Sequence, residues 1–325
     1  MRVLCAGHVN WDVTLGVDQL PEPDGEARIL EQHQSGGGSA ANAATVFATL
    51  DVQTGVLGSV GTDQYGAQAR RELVDAGVDV SFLVETGVGT ATKYLVVDPD
   101  GRLMVLGRDQ GNEAFHADDV PRDVVRSVEH VHMTGQRAAT AAELATTARS
   151  ADVPVSVDPG RLAGRRGLGE VLDRADYRFL TDEEARTVGF DPDDADDRPS
   201  SGVVVVKRGS EGAEVRTPET VYQHPGYEID PVDTTGAGDA FAAGFVTALL
   251  EDWDPRPGSG GDFDSDATPG AEHPSTGIDV DFDRALAVAN ACGALAAHRT
   301  GARAHVSRTD VERFLAVRDQ NQDRA

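Results

Sequence analysis

Along this chain short apolar runs alternate with stretches whose apolar residues recur at helical spacing. Arg2 to Gly7 is an apolar run closed by glycine, which suits a fully buried strand better than a helix. Ala40 to Leu50 places Ala, Val, Phe and Leu at intervals that predict a helix, Gln53 to Val60 reads as a strand, and Gln68 to Ala76 as a helix again. The alternation continues through Val128–Met133, Thr140–Arg149, Val153–Val157, Tyr177–Leu180, Val203–Lys207 and Asp239–Leu250. Such a rhythm predicts an α/β fold with a mostly parallel central sheet covered by helices.

Two segments break the rhythm. Arg28 to Gln34 is strand-like, and Ala91 to Leu106 reads as a hairpin turning at Asp98 to Gly101. Together they predict a small β lid, formed by about 10–36 and 90–112, on a single domain that spans residues 1–325. Between Glu251 and Asp281 the chain turns to Gly, Pro, Asp and Ser, which predicts a disordered surface insertion because burial there does not offset the ordering entropy. Phe282–His298 and Thr309–Arg318 read as closing helices, the second with Thr309 and Glu312 at capping-box spacing.

Composition changes this picture in one respect. The chain has 55 acidic against 29 basic residues and a net charge of −26, and Lys93 and Lys207 are its only lysines. Carboxylates spread along the whole chain, with almost no lysine, fit a protein of a high-salt cytoplasm, where a Debye length of about 3 Å at 1 M salt mutes their repulsion. The same charge argues against nucleic acid as a partner, since phosphate binding needs clustered cations. Cys5 and Cys292 belong to no CxxC pair and read as buried apolar residues. No signal peptide and no apolar stretch of about 20 residues is visible, so no membrane partner and a cytoplasmic location are expected. Small molecules remain as ligands.

The strongest chemical signal is the run Asp233-Thr234-Thr235-Gly236-Ala237-Gly238-Asp239, followed by an amphipathic helix. Gly236, Ala237 and Gly238 let the backbone approach a phosphate, and free NH groups at a helix start favour a transferring phosphoryl group. Asp239 would sit beside that anion hole, placed to take a proton from an attacking hydroxyl. A helix N-terminus ordinarily lowers a carboxylate pKa, which weakens the base, but a loose phosphoryl-transfer transition state needs little proton removal in advance. The plainer alternative is an Asp that caps its helix.

The run from Asp233 to Val246 resembles the C-terminal signature of the ribokinase/PfkB family of carbohydrate kinases. Gly36-Gly37-Gly38-Ser39-Ala40-Ala41-Asn42-Ala43-Ala44, followed by Gly61-Thr62-Asp63-Gln64-Tyr65-Gly66, resembles its N-terminal signature. Asp51 departs from it, standing where the family has Gly or Ser in a helix-to-strand turn. The resemblance covers most of residues 1 to 312 and implies a ribokinase-like three-layer sandwich with a β lid. It further implies ATP-dependent transfer of the γ-phosphoryl group to a sugar hydroxyl, with Asp239 as base.

On the acceptor side the resemblance implies Gly37, Gly38, Asn42 and Asp12. Lys93 in the lid joins them as one of two surviving lysines, and Arg137, with Arg161, is a candidate for a phosphate already on the acceptor. On the nucleotide side stand Lys207, Gly209, Gly212, Thr234 and Asn290. For magnesium the resemblance points to Glu184, in Thr181-Asp182-Glu183-Glu184 where the family carries Asn-x-x-Glu. For potassium it points to a loop near Asp233, Thr235 and Gly301-Ala302. Relatives also form dimers through the lid. The acceptor stays open among ribose, ketoses, ketodeoxy sugars, sugar phosphates and nucleosides, and Trp11 is a candidate to stack on a nucleobase. A non-catalytic sugar-binding regulator would be expected to have lost Asp239 or the glycine turn.

The charge pattern yields a first test. Thermal unfolding should move to markedly lower temperature when potassium chloride is reduced from molar concentration to dilute buffer. A Tm that does not depend on salt would overturn the high-salt reading.

Overall fold

The computed structural model describes residues 1–108, 115–160, 163–165, 167–251, 253, 271–272, 279–299, 301, 303 and 305–322. A nine-stranded sheet runs through the molecule. Its parallel part contains β1 (Val3–Ala6), β4 (Thr54–Gly61), β5 (Leu83–Thr86), β8 (His130–Thr134), β9 (Val155–Asp158), β10 (Tyr177–Thr181) and β11 (Val203–Lys207). Two antiparallel strands, β12 (Ala213–Arg216) and β13 (Val221–His224), complete one edge, giving the order β13-β12-β11-β10-β9-β8-β1-β4-β5. β1 pairs with β4 on one side and β8 on the other, so the strand order reverses beside it, the place where open α/β sheets form their ligand crevice.

Helices cover both faces. Against one pack α1 (Ser39–Thr49), α2 (Gln64–Asp75), α7 (Ala237–Leu250), α8 (Phe282–Ala297) and α9 (Arg308–Gln322), around Phe47, Phe179, Phe245 and Phe282. Against the other lie α3 (Arg122–Val125), α4 (Ala138–Arg149) and α5 (Gly169–Leu172), around Met133 and Leu144. The short α6 (Asp182–Thr187) packs Ala185 with Leu180 and Val206. Both cysteines are buried and free. Inside the sheet, Ser156 Oγ bonds the rings of both His130 (2.7 Å) and His132 (2.8 Å), which lets these polar side chains sit in the core.

The lid is a second sheet of four strands in the order β3-β2-β6-β7, with β2 (Asn10–Val17), β3 (Ile29–Gly37), β6 (Thr92–Val97) and β7 (Leu103–Arg108). The expected hairpin is β6–β7, closed by Asp98, which accepts from Asp100 N (3.1 Å) and Arg102 N (2.9 Å). Asp51 lies after α1 in the left-handed region, φ 65°, which explains why the position favours glycine and tolerates Asp.

Several boundaries differ from expectation. α2 begins at Gln64 rather than Gln68, because Asp63 caps it by accepting from Gly66 N at 2.9 Å. α9 begins at Arg308, and its cap is Ser307, whose Oγ accepts from Asp310 N (3.2 Å) while Asp310 accepts from Ser307 N (3.3 Å). Thr309 therefore lies inside the helix, and Glu312 instead accepts from Trp253 Nε1 at 3.3 Å. Most of the 251–281 insertion lies outside the described residues; within it β14 (Ala271–Glu272) pairs antiparallel with β15 (Asp279–Val280). No helix among the described residues is long and apolar enough to cross a membrane.

Candidate active site

The carboxyl ends of the parallel strands and the starts of α1 and α7 meet at one crevice. α7 is capped by Gly236 in the left-handed conformation, φ 78°, and Asp239 is its third residue, not its cap. Asn42, in the first turn of α1, donates Nδ2 to Asp239 Oδ2 at 2.8 Å. From the ends of β9 and β11 come Asp158 and Lys207, whose Nζ donates to Asp158 Oδ2 at 2.5 Å. A Cβ built on Gly238 would lie 3.5 Å from the same ammonium, so Lys207 stands directly under the glycine turn.

These neighbours fix the electrostatics. Burial, and next the charge of Asp158, push the Asp239 carboxyl up from 3.8 to about 7, against the hydrogen bonds of Asn42 and Ser39 and the charge of Lys207. The expected lowering by the helix start does not prevail, because desolvation and a like charge outweigh it. For Lys207 burial works against the charged form but is outweighed by Asp158, Glu184 and Asp239, which raise its pKa. A carboxylate that titrates near neutrality is suited to take a proton at neutral pH.

Of the glycine turn, the NH of Ala237 is engaged by Thr234 O at 3.2 Å. Ala237, expected with the two glycines to stabilise charge at the turn, therefore does not offer its NH. Those of Gly236 and Gly238 have no partner among the described residues and are the donors the turn presents.

On the lid side, Asp12 of β2 stands opposite Ser35 of β3 and Lys93 of β6. Burial raises the Asp12 pKa, while Lys93 and Arg303 act to lower it. Asn10 Nδ2 donates to Asp12 Oδ1. A Cβ on Gly37 would fall 2.1 Å from Asp12 Oδ2, so only glycine leaves room for this carboxylate. Gly38 precedes α1 at φ 98°, and Asn42 N donates to Gly38 O at 2.8 Å, linking the lid strand to the helix that carries Asn42. Among the described residues Asn10 Oδ1 and Asn42 Oδ1 are buried without a hydrogen-bond partner. Outward from here a cleft of about 1000 Å³ separates Thr14, His33 and Leu95 of the lid from Pro231 to Thr235 and Gly301.

Other candidates are placed differently. Arg137 is exposed at the start of α4, with its guanidinium 2.8 Å from His116 Nδ1. Arg161 and Ala302 lie outside the described residues. Trp11 is buried, stacked on Tyr65 at 5.9 Å and bonded to Gln34, so it offers no face to a nucleobase. Asn290 is buried and donates to Leu286 O of its own helix at 2.8 Å. Gly209 and Gly212 flank the turn after β11, with φ 58° and 84°. Thr234 and Thr235 are exposed. Glu184 is buried, and Thr181 replaces the family's Asn as the cap of α6: Glu184 Oε2 accepts from Thr181 N at 2.9 Å and Thr181 Oγ1 from Glu184 N at 3.3 Å. Asp233 accepts from Thr235 N and Gly301 N, each at 2.9 Å, and so shapes the loop itself. Among the described residues no group of three or more His, Cys, Asp or Glu gathers as a metal site.

Sequence reasoning missed Asp158, Asn10 and Arg303. A signal existed for Asp158 alone: a lysine kept in a lysine-poor chain and buried needs a carboxylate partner.

With this geometry in hand, comparison with known proteins gives a consistent result. Residues 1–309 match the model of the pfkB family carbohydrate kinases. The ATP-dependent ribose-1-phosphate kinase of Halopiger xanaduensis is 49% identical over 325 residues, covering 98% of this chain and 99% of that protein. The structure of Arabidopsis thaliana ribokinase complexed with ribose and ATP superposes with a TM-score of 0.78 at 22% identity, over 97% of this chain and 98% of that one. A putative ribokinase II from E. coli in complex with ATP and Mg2+ gives 0.74 at 21% identity, over 97% and 98%.

The raised pKa of Asp239 predicts a pH profile with a definite sign. Below about 7 the group is protonated, so kcat/KM should fall on an acid limb near that value. Asp158→Asn removes a charge that holds the pKa up and frees Lys207 to act on Asp239, so the limb should shift to lower pH. A limb that stays in place in an otherwise active variant would dissociate Asp158 from the titration of Asp239.

Proposed function

The chain belongs to the pfkB family of carbohydrate kinases, and from that premise we propose that it transfers the γ-phosphoryl group of ATP to the primary hydroxyl of ribose 1-phosphate. The observation that carries this reading is 49% identity across essentially the whole length to a ribose-1-phosphate kinase. The lid supports it, since Lys93 beside Asp12 sets an ammonium next to the carboxylate that would hold sugar hydroxyls, where a phosphate on the acceptor finds a counter-charge. Arg137, exposed and engaged with His116, gives that reading less support than Lys93.

In the proposed mechanism Asp12, Asn10 and Asn42 orient the acceptor. Asn42 also holds Asp239, which takes the proton of the hydroxyl as it attacks phosphorus. Gly236 and Gly238 NH groups, with the Lys207 ammonium beneath them, stabilise charge on the transferring group. Gly209 leaves the turn after β11 open on the side where the nucleotide would lie, whereas Gly212 is glycine for packing, since a Cβ there would fall 1.9 Å from His224 O. Magnesium accompanying ATP would neutralise phosphate charge and draw on Glu184 through water, since one carboxylate oxygen is engaged by Thr181 and an ion of this kind keeps several waters. Potassium would act through the loop that Asp233 ties together at Thr235 and Gly301. A homodimer through the lid is supported by β7, an edge strand with Leu103, Met104, Val105 and Leu106 all exposed.

Three measurements test this. A panel of ribose, fructose, ribose 1-phosphate, 2-keto-3-deoxygluconate and nucleosides, assayed in molar potassium chloride, should give the highest kcat/KM with ribose 1-phosphate; a clear preference for an unphosphorylated acceptor would overturn the substrate. Asp239→Asn should lower kcat by about 10²- to 10⁴-fold with ATP binding preserved, and Lys93→Gln should raise the acceptor KM and leave that of ATP unchanged. Sedimentation should show a dimer that Leu106→Glu dissociates, and a monomeric parent protein would exclude the lid interface.

A further inference from the structure

The loop that follows α8 touches both halves of the proposed reaction. Gly301 donates to Asp233 Oδ2 at 2.9 Å, which ties the loop to the start of the glycine turn. Two residues on, Arg303 reaches the root of the lid. Its Nη2 donates to Gly37 O at 3.1 Å, and its Nη1 meets Glu72 Oε2 of α2 at 3.1 Å. The same carboxylate oxygen accepts from Gly36 N at 2.8 Å.

Neighbouring glycines make this possible. A Cβ on Gly36 would lie 1.9 Å from Arg303 Nη1, and one on Gly37 would lie 2.1 Å from Asp12 Oδ2. Successive residues of a strand face opposite sides of its sheet, so one glycine admits Arg303 behind the strand and the next admits Asp12 in front. The guanidinium side chain is 7% exposed while Glu72 is 40% exposed. A pair with its arginine buried and its carboxylate half-exposed is poor evidence of added stability, because desolvation of the guanidinium and solvent screening of Glu72 offset much of the attraction, and the better-attested use of such a pair is to fix one geometry among several.

We propose that Arg303 is a positioning residue for phosphoryl transfer. With Glu72 it fixes the Gly36–Gly37 end of β3 against the loop that also bonds Asp233, and so sets where Asp12 stands relative to Asp239. It acts through Gly37 and Asp12. The proposal rests on the reading that Asp12 binds the acceptor, but not on which acceptor that is. The lid strands β2 and β3 leave the main body here, at the Asn10–Gly37 pair, so a loosened root displaces the acceptor carboxylate as the lid moves.

The test compares Arg303→Met, Arg303→Lys, Glu72→Gln and Asp12→Asn in the full chain, in molar potassium chloride, with the best acceptor of the panel. Arg303→Met should lower kcat/KM for the acceptor by about 100-fold, the scale of an ångström-sized misplacement, mainly through KM, with the KM of ATP unchanged. Arg303→Lys restores the charge but not both contacts and should fall between parent and Arg303→Met, as should Glu72→Gln. A lowered Tm with unchanged acceptor kinetics in Arg303→Met would make the residue merely structural and overturn the proposal. If that variant does not fold, unchanged acceptor KM in both Arg303→Lys and Glu72→Gln overturns it equally. Unchanged acceptor KM in Asp12→Asn would overturn the acceptor-site reading itself, and the role of Arg303 with it; a raised KM there and a normal one in Arg303→Met would overturn Arg303 alone.

Discussion

Three carboxylates, Asp158, Glu184 and Asp239, act on the one ammonium of Lys207 where the central strands end, and the rest of the site is arranged around that imbalance. Asp158 binds Lys207 directly, and Asp239 is left with two neutral hydrogen-bond partners, Asn42 and Ser39. Had Lys207 bonded Asp239 instead, the attraction of a contacting ammonium would have held that carboxyl in the ordinary acid range, ionised but weakly basic. With the ammonium bonded to Asp158, burial and the Asp158 charge prevail at Asp239 and raise its carboxyl to about 7. The fold enforces this division, since Asp158 and Lys207 are the terminal residues of β9 and β11, with β10 between them, while Asp239 approaches from a helix start.

That arrangement also marks how far the sequence could be read. The glycine turn with Asp239, the Gly36–Gly38 run with Asn42, and the β6–β7 hairpin were legible because each is a local device, readable from consecutive residues. Asp158, Asn10 and Arg303 were not, because their meaning depends on which strands lie side by side and on a loop more than two hundred residues from the glycines it contacts. The reading of Asp239 as a weakened base followed correctly from the helix dipole but lacked its competitors, burial and Asp158, which only the assembled crevice supplies. The capping box at Thr309 failed for a humbler reason: Ser307 and Asp310 offer the same spacing two residues earlier.

Charge is distributed unevenly between surface and site. Outside, carboxylates dominate; at the root of the lid and beneath the glycine turn stand buried cations, each with a named acid, Arg303 with Glu72 and Lys207 with Asp158. A chain of net charge −26 repels anionic substrates at low ionic strength, so local cations matter more to it than to a neutral protein. In strong salt that long-range repulsion is screened, whereas the short-range contacts in a partly enclosed crevice are screened much less.

The choice between the two kinds of cation then follows from shape. Arg303 must satisfy Gly37 O and Glu72 at once, and a planar guanidinium presents separated donors at fixed angles for that purpose. Beneath Gly238 the demand differs: Lys207 has one nitrogen to place, on Asp158 Oδ2, and a Cβ at Gly238 would stand in ordinary van der Waals contact with it at 3.5 Å. A compact ammonium on a flexible stem meets that demand with one strong contact, without the fork geometry that Arg303 uses. Position 207 thus keeps one of the two lysines of a chain that uses arginine almost everywhere else, and the two cations differ because one bridges separated acceptors while the other meets a single carboxylate oxygen.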